Sequence, residues 1–499
     1  MSATGKNTIL YTVGYIAKAV AGFFLLPIYA NELGATEYGK MSLLTTVGTI
    51  IGYFMSLSTG RSVYRLYYDY KDDESRKRFL STVFWTLALN GLFVGFLSIC
   101  FSKPLSSVSG DVDVWKIFIP FIISTYISGI ITYSQIIMQV EQKGEQFLLV
   151  SLLYVILYNV IVLLLVFNFS PTIESLVYSS LITNILLIPV ICGRIRSFLK
   201  WTFDVKIIKG VFKFSLPMFG MVIADWGLSV SDRLFLANLH GLSDTGVYSI
   251  AATFVSVGTL FCASLYQAYG PLFYNTANNH EQIEARKLLY TINKFVTSSI
   301  CLIYVGVALC TKFVQQLLFT SEYDNVAIYA YPLCLSGMIA QQCGLLNVMI
   351  YQNKKSVGLS LIAITGGVLS PLLNILMIPM IGPIAAALSN LMVSLFIFAT
   401  TWWLSKRHYY IKLSYPTLLY GIFAVLCFCL LDNIIPPTGF VTSFLFKFLF
   451  VVVWFPIGLM LKLIDISYLN NYGLLIIKKV KQWRNKDYSS ISDPKKYAL

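Results

Sequence analysis

Apolar runs of about twenty residues recur along the whole chain. Each is long enough to cross a hydrocarbon core about 30 Å thick at 1.5 Å per helical residue. Fourteen can be counted: roughly 8–30, 40–58, 79–101, 116–138, 147–168, 174–192, 210–237, 246–266, 290–311, 326–350, 357–379, 383–405, 414–431 and 439–461. In lipid every backbone N–H and C=O must be bonded inside the protein, and a run of this length does so as an α-helix. The chain is therefore predicted to be an all-α polytopic membrane protein of about 14 transmembrane helices. Its charged fraction of 12% agrees, since soluble domains carry about 25%. The first run is too long for a cleavable leader, and acidic residues follow it instead of a small-residue cleavage site.

An even number of spans places both termini on one side. The side holding the termini carries 30 of the 37 Lys and Arg residues, the other side carries four (Lys40, Lys103, Lys116, Lys312), and Lys18, Arg233 and Lys447 lie inside spans. That asymmetry makes both termini cytoplasmic and accounts for the net charge of +14 without a nucleic-acid partner. Three histidines, and nine cysteines without a CxxC pair, point to neither a metal site nor a disulfide framework. The outer loops are short; the longest, 102–115, cannot form a domain. Its Asp111–Val112–Asp113 triplet matches the DxD of metal-dependent glycosyltransferases but lies outside, away from nucleotide sugars. The machinery must therefore lie within the membrane, and no catalytic residues are expected.

A repeat organises the spans. "ANELGATEYGKMS" (30–42) aligns without gaps on "ANLHGLSDTGVYS" (237–249) at an offset of 207, with Ala30/Ala237, Asn31/Asn238, Gly34/Gly241, Gly39/Gly246 and Ser42/Ser249 identical. Both copies follow an odd-numbered span on the outer side, so the unit is six spans of conserved direction. Two parallel six-helix lobes are expected around an axis along the membrane normal: an N-lobe over 1–205, a C-lobe over 206–406, two further spans over 407–465, and a cytoplasmic basic tail over 466–499. Gly34 and Gly39 are read as bracketing a tight turn that needs positive φ. Glu37 and Asp244 are read as caps for the helices that follow.

Charges inside the spans are costly and mark candidate sites. Lys18 falls near the middle of the first span, on a stripe with Tyr11, Gly14 and Gly22. The repeat offset maps it onto Asp225, which shares a stripe with Ser229 and Asp232. Two readings stand: Lys18 and Asp225 form a structural pair between the lobes, or Lys18 faces a cavity and Asp225 takes a proton or cation. Asn374 and Asn390, in the eleventh and twelfth spans, are candidates to add amide oxygens to an ion site with Asp225. Arg61 and Arg65, at the inner end of the second span, either anchor that end or form a funnel for an anionic headgroup, since arginine forks onto phosphate oxygens. Asp232 and Arg233 lie near the outer end of the seventh span, where Arg233 is a further candidate cavity cation. Lys447 reads as a snorkelling side chain.

The stretches "LPIYANELGATEYGKMSLL" (26–44), "GRSVYRLYYD" (60–69), "FSLPMFG" (214–220) and "DRLFLANLHGLSDTGVYSIA" (232–251) together resemble Wzx-type polysaccharide (O-antigen or capsule) flippases of the multidrug/oligosaccharidyl-lipid/polysaccharide exporter superfamily. The resemblance covers about the first 400 residues. It implies transfer of an undecaprenyl-diphosphate-linked oligosaccharide from the inner to the outer leaflet of a bacterial inner membrane. It also implies a cationic cavity (Lys18, Arg61, Arg65, Arg233) and coupling to H⁺ or Na⁺, with no other cofactor. The partners implied are the lipid-linked substrate, membrane lipid, and polymerase and chain-length proteins of the same pathway. Fourteen spans exceed the twelve common in that branch and match lipid II flippases. A multidrug or cation antiporter of the same superfamily would favour an anionic cavity, which the central lysine opposes. A membrane polymerase or ligase would need a large outer loop.

Overall fold

The computed structural model describes residues 3–169, 171–279, 281–352, 357–407, 409–434 and 440–460. The basic tail 466–499, the loop lysines Lys354 and Lys355 and the side chain of Arg61 lie outside the described residues. Sixteen α-helices follow one another, and no strand occurs among the described residues. They are α1 (Ala3–Ser56), α2 (Thr59–Leu66), α3 (Asp73–Cys100), α4 (Ser102–Val108), α5 (Ile119–Val140), α6 (Gly144–Asn168), α7 (Ile173–Ile195), α8 (Val205–Ser229), α9 (Asp232–His240), α10 (Leu242–Asn279), α11 (Gln282–Leu318), α12 (Val326–Gln352), α13 (Val357–Ile381), α14 (Ile384–Ser405), α15 (Tyr415–Ile434) and α16 (Phe440–Met460).

Each of the fourteen apolar runs falls on these helices, but the correspondence is not one to one. Among the described residues, eleven helices are long and apolar enough to cross a membrane. The first two runs share α1, which bends at Gly34 (φ 77°, ψ 166°) without a loop. The seventh run is broken at Val230–Ser231 into α8 and α9.

The repeated segments do not merely correspond; they touch. At Gly34 and its counterpart Gly241 the backbone adopts positive φ, 77° and 102°, the left-handed region that suits glycine. Gly39 and Gly246 serve a different purpose from the expected turn, because both sit in helix and let α1 and α10 cross backbone to backbone. A Cβ on Gly39 would lie 1.9 Å from the Leu242 carbonyl oxygen, and one on Gly246 would lie 2.0 Å from the Ala35 carbonyl oxygen. Leu242 is the 207-residue counterpart of Ala35, so each half makes the same contact on the other, as across a two-fold axis. Just below, the Ser42 and Ser249 hydroxyls meet at 2.6 Å. A further symmetric pair lies within each repeat: Ser124–Ser180 at 2.8 Å joins α5 to α7, and Ser336–Ser394 at 2.8 Å joins α12 to α14.

The bend in α1 is held from the other repeat. Glu322 accepts the Ala35 N–H at 2.8 Å, Tyr323 donates to the Ala30 carbonyl at 2.8 Å, and Asn31 bonds both Leu318 and Thr320. Glu37 does not cap its own helix; it pairs with Lys40 and accepts the Ile173 N–H at the start of α7.

Apolar packing is uneven. One large buried cluster joins α10, α11, α12, α14 and α15 and takes in Leu26, Ala30 and Ala35 of α1. The first repeat is cored by four smaller clusters. The extra helices dock on the large cluster through charge as well. Lys312 of α11 pairs with buried Asp432 of α15 at 3.0 Å, and Tyr331 of α12 donates to the same carboxylate at 2.7 Å. Lys447 of α16 is buried rather than snorkelling: its ammonium lies 5.5 Å from the centre of the Phe313 ring, with no hydrogen-bond partner among the described residues.

Two outcomes follow from this packing. Gly39→Ala or Gly246→Ala must push two backbones apart, so thermal unfolding in detergent should drop by the upper part of the ~1–3 kcal/mol seen for overpacking. Gly22→Ala, with open space around it, should unfold close to wild type. Asp432→Asn leaves the Lys312 ammonium without its carboxylate and should cost about 3–5 kcal/mol by denaturation; Lys312→Met in the same chain should restore most of it.

Candidate functional site

The stripe that carries Lys18 is covered from within its own repeat. A Cβ on Gly14 would approach Phe147 Cε1 to 2.9 Å and Ser151 Oγ to 3.2 Å, and the Tyr11 ring meets Phe147 edge-on at 5.2 Å. This face of α1 therefore lies against α6. The Lys18 ammonium sits 3.5 Å from Gln135 Oε1 and 5.2 Å from the centre of the Tyr154 ring. Gln135, itself buried, passes its amide on to Ser151 Oγ at 3.2 Å. An amide dipole and a π face thus support the cation. Asp225, exposed on α8, is not among these partners of Lys18. The expected cross-lobe pair is not formed among the described residues, because the lysine's stripe turns inward to α5 and α6.

A carboxylate cluster forms elsewhere. The break at Val230–Ser231 puts Asp232 at the start of α9, where it is buried. Its Oδ2 accepts from the Tyr248 hydroxyl and from Asn390 Nδ2 at 2.9 Å, and its Oδ1 accepts the Arg233 N–H at 2.9 Å. Asn390 also donates to the Tyr248 hydroxyl at 2.9 Å. Asn390 therefore joins Asp232 rather than Asp225. Asn374 belongs to a different network, accepting from Ser389 Oγ at 2.5 Å. The helix break resets the angle between positions 225 and 232, which an unbroken helix would have kept on one stripe.

Two cavities lie between these groups. The larger, about 590 Å³, is walled by Thr45, Gly48, Thr49, Gly52 and Ser56 of α1, by Thr125, Ser128 and Thr132 of α5, and by Ser180 of α7, and it reaches Tyr64 on α2. No charged side chain among the described residues lines it. Its threonines already donate to their own helices, Thr45 to the Ser42 carbonyl and Thr49 to the Thr45 carbonyl. That leaves oxygen lone pairs turned into the space. The smaller, about 280 Å³, is bounded by Tyr29, Tyr38, Ser42 and Tyr158 of the first repeat and by Arg233, Ser249 and Thr253 of the second. Thr45 lines both.

The cations expected to act together are not brought to one cavity: among the described ones, Arg233 alone lines either. Lys18 lines neither cavity and is held by Gln135 between α5 and α6. Arg65 is exposed and paired with Asp69 at 2.9 Å, a surface pair worth about 0.3–0.5 kcal/mol. Arg233 borders the smaller cavity. Beside Tyr64, Gln139 ties the inner end together: it accepts from Tyr64, donates to Tyr15 at 2.9 Å, and takes the Tyr11 hydroxyl on its carbonyl at 3.4 Å. The hydroxyl wall was missed by reasoning from charge. Its signal was nonetheless present, since Thr45, Gly48, Thr49, Gly52 and Ser56 repeat at helical spacing. Among the described residues no three His, Cys, Asp or Glu side chains come together as a metal site.

Comparison with known proteins bears on the family and the fold. A family profile described as polysaccharide biosynthesis protein matches residues 30–328. The succinoglycan biosynthesis transport protein ExoT of Rhizobium meliloti (strain 1021) is 22% identical over 353 residues, 68% of this chain and 67% of the relative. Among solved structures, the lipid II flippase MurJ in an inward closed conformation superposes with a TM-score of 0.71 at 16% identity, covering 90% of this chain and 98% of that one. The MATE multidrug transporter DinF-BH gives 0.57 at 12% identity, over 81% and 95%. These neighbours share the fold. The chain belongs to the polysaccharide biosynthesis protein family.

Proposed function

We propose that the protein moves an undecaprenyl-diphosphate-linked oligosaccharide from the cytoplasmic to the outer leaflet of a bacterial inner membrane by alternating access, with both termini cytoplasmic. The observation that carries this reading is the pairing of a sealed crossing with a hydroxyl-lined cavity on one side of it. Gly39, Gly246, Ser42 and Ser249 close one end of the route. The wall from Thr45 to Tyr64 offers oxygen lone pairs and bare glycine surface to a sugar headgroup on the other end. The two lobes, 1–205 and 206–406, rock about that crossing, while α15 and α16 ride on the second.

Lys18 acts at the middle of the route. A diphosphate arriving past Arg61 and Arg65 exchanges with Gln135 as its partner. Asp232, in the cluster with Tyr248 and Asn390, takes H⁺ or Na⁺ as the lobes exchange, a role that passes to it from Asp225. Polymerase and chain-length proteins receive the product. An organic-cation antiporter would place a carboxylate on the cavity wall, whereas this wall carries hydroxyls and glycines.

Restoration of surface polysaccharide in a deletion strain tests the reading. Lys18→Ala should abolish it at unchanged expression, and Lys18→Arg should retain part. Normal polysaccharide from Lys18→Ala would remove Lys18 from the mechanism. In vesicles carrying the lipid-linked oligosaccharide, a Ser42→Cys/Ser249→Cys pair in a cysteine-free background should stop transfer when oxidised and recover it with reductant. Transfer that continues through the closed disulfide would sink alternating access at this crossing.

A further inference from the structure

Two tyrosine rings occupy in the second repeat the place that the larger cavity leaves open in the first. The equivalent serines Ser124 and Ser336 stand 212 residues apart, which sets Gly337 against Thr125, Ala340 against Ser128 and Gly344 against Thr132. On the other wall the 207-residue offset turns Thr45 and Ser56 into Ala252 and Ala263, while Thr49 keeps a hydroxyl as Ser256. A Cβ on Gly337 would come within 2.5 Å of the Tyr304 ring, and one on Gly344 within 2.4 Å of the Tyr266 ring. In the first repeat a Cβ on Gly129 would meet nothing within 4 Å. Leaving this space open forfeits packing that the other repeat gains. The lining therefore answers to a ligand and not to the fold.

The polarity of that lining is one-sided. Thr45, Thr49, Ser56, Thr125 and Thr132 each donate their proton to a carbonyl three or four residues back on their own helix, at 2.7–3.3 Å. A hydroxyl has one proton and two lone pairs, so the face turned to the cavity is one of acceptors. Sugar hydroxyls can donate to it. A carboxylate or sulfate only accepts, and no cation among the described residues lines the cavity to offset its burial. Taking a charge out of water without a partner is strongly unfavourable. The rings of Tyr53, Phe121 and Tyr133 complete the wall; they suit the C–H face of a neutral sugar and offer an anion nothing.

We infer that the larger cavity selects by charge: the saccharide seated in it is a neutral, hydroxyl-rich ring, and a ring bearing a carboxylate or sulfate is rejected there. The inference rests on the flippase reading for the carrier lipid, though not for the sugar preference of the wall. In that reading the diphosphate goes to Lys18, which lines neither cavity, so the demand for neutrality falls on the sugar alone. At about 590 Å³ the cavity lies within the ~300–1,000 Å³ of sites for drug-sized ligands. It holds a short saccharide, and acidic sugars further along a glycan are not selected against.

Two lipids that differ only at C6 of the sugar test the site. One is undecaprenyl diphosphate bearing galactose, with a hydroxymethyl group; the other bears galacturonic acid, with a carboxylate. Purified full-length protein should hold the galactosyl lipid about tenfold or more tightly, a comparison that needs no substitution. Thr132→Lys puts a cation at an exposed position on the wall and should bring the ratio to unity or reverse it. Gly129→Leu fills open space and should weaken the galactosyl lipid severalfold while leaving undecaprenyl diphosphate without sugar unaffected. Thermal unfolding checks that both variants fold. Equal affinity for the two lipids in the unmodified protein, or a ratio indifferent to Thr132→Lys in folded protein, overturns the inference. Transfer in vesicles separates it from the flippase reading. Equal affinities with transfer of both lipids overturn the selectivity alone. Sugar-selective binding with transfer of neither removes the flippase reading and keeps the site.

Discussion

Everything in this molecule turns on two glycines that meet. Gly39 and Gly246 bring α1 and α10 so close that no side-chain atom fits between them. A crossing of that kind has little freedom: the backbones either lie together or part. Around it the chain has built closure from both repeats, with Glu322, Tyr323 and Asn31 pinning the bend of α1 and the Ser42–Ser249 contact below. Packed surfaces tend to have discrete alternatives instead of continuous ones. A symmetric, side-chain-free contact on the axis is well placed to be the element with two states.

The two repeats divide the labour around that point. The second carries one continuous apolar core and the docked extra helices. The first is cored in patches, and the larger cavity runs among its helices. A space lined by glycine and hydroxyls forfeits side-chain packing. The dense half supplies a platform, and the patchy half supplies the space in which a headgroup is held.

Much of the fold was legible in the sequence because bilayer thickness and backbone bonding leave few choices. The apolar runs all became helix, and the 207-residue offset identified the segments that lie on the axis. What the offset did not contain was that the copies touch each other; alignment states equivalence, and contact is a separate fact. The site was legible in residue types but less so in partners. Lys18 was marked by its cost in hydrocarbon, yet a helical stripe names a face without naming what covers it, and α5 and α6 cover this one. Asn390 was marked too, but the break at Val230 turned Asp232, not Asp225, toward it. The wall of Thr45, Thr49 and Ser56 was passed over because hydroxyls in lipid bond to their own helix and carry no charge to notice.

That break has a further consequence. Asp232 and Arg233 are adjacent in the chain, and on a continuous helix at this depth they would sit among the same neighbours. Starting a new helix at Asp232 sends the carboxylate into a cluster where Tyr248, Asn390 and a backbone N–H satisfy it. The guanidinium goes to a chamber where its Nε is left without an acceptor among the described residues. A fully paired carboxylate stabilises one arrangement of α9, α10 and α14. The two charges therefore meet different surroundings from consecutive positions, the carboxylate among partners of the second repeat and the guanidinium at the cavity between the repeats. A buried polar group left without a partner costs about 1–3 kcal/mol, more when it is charged.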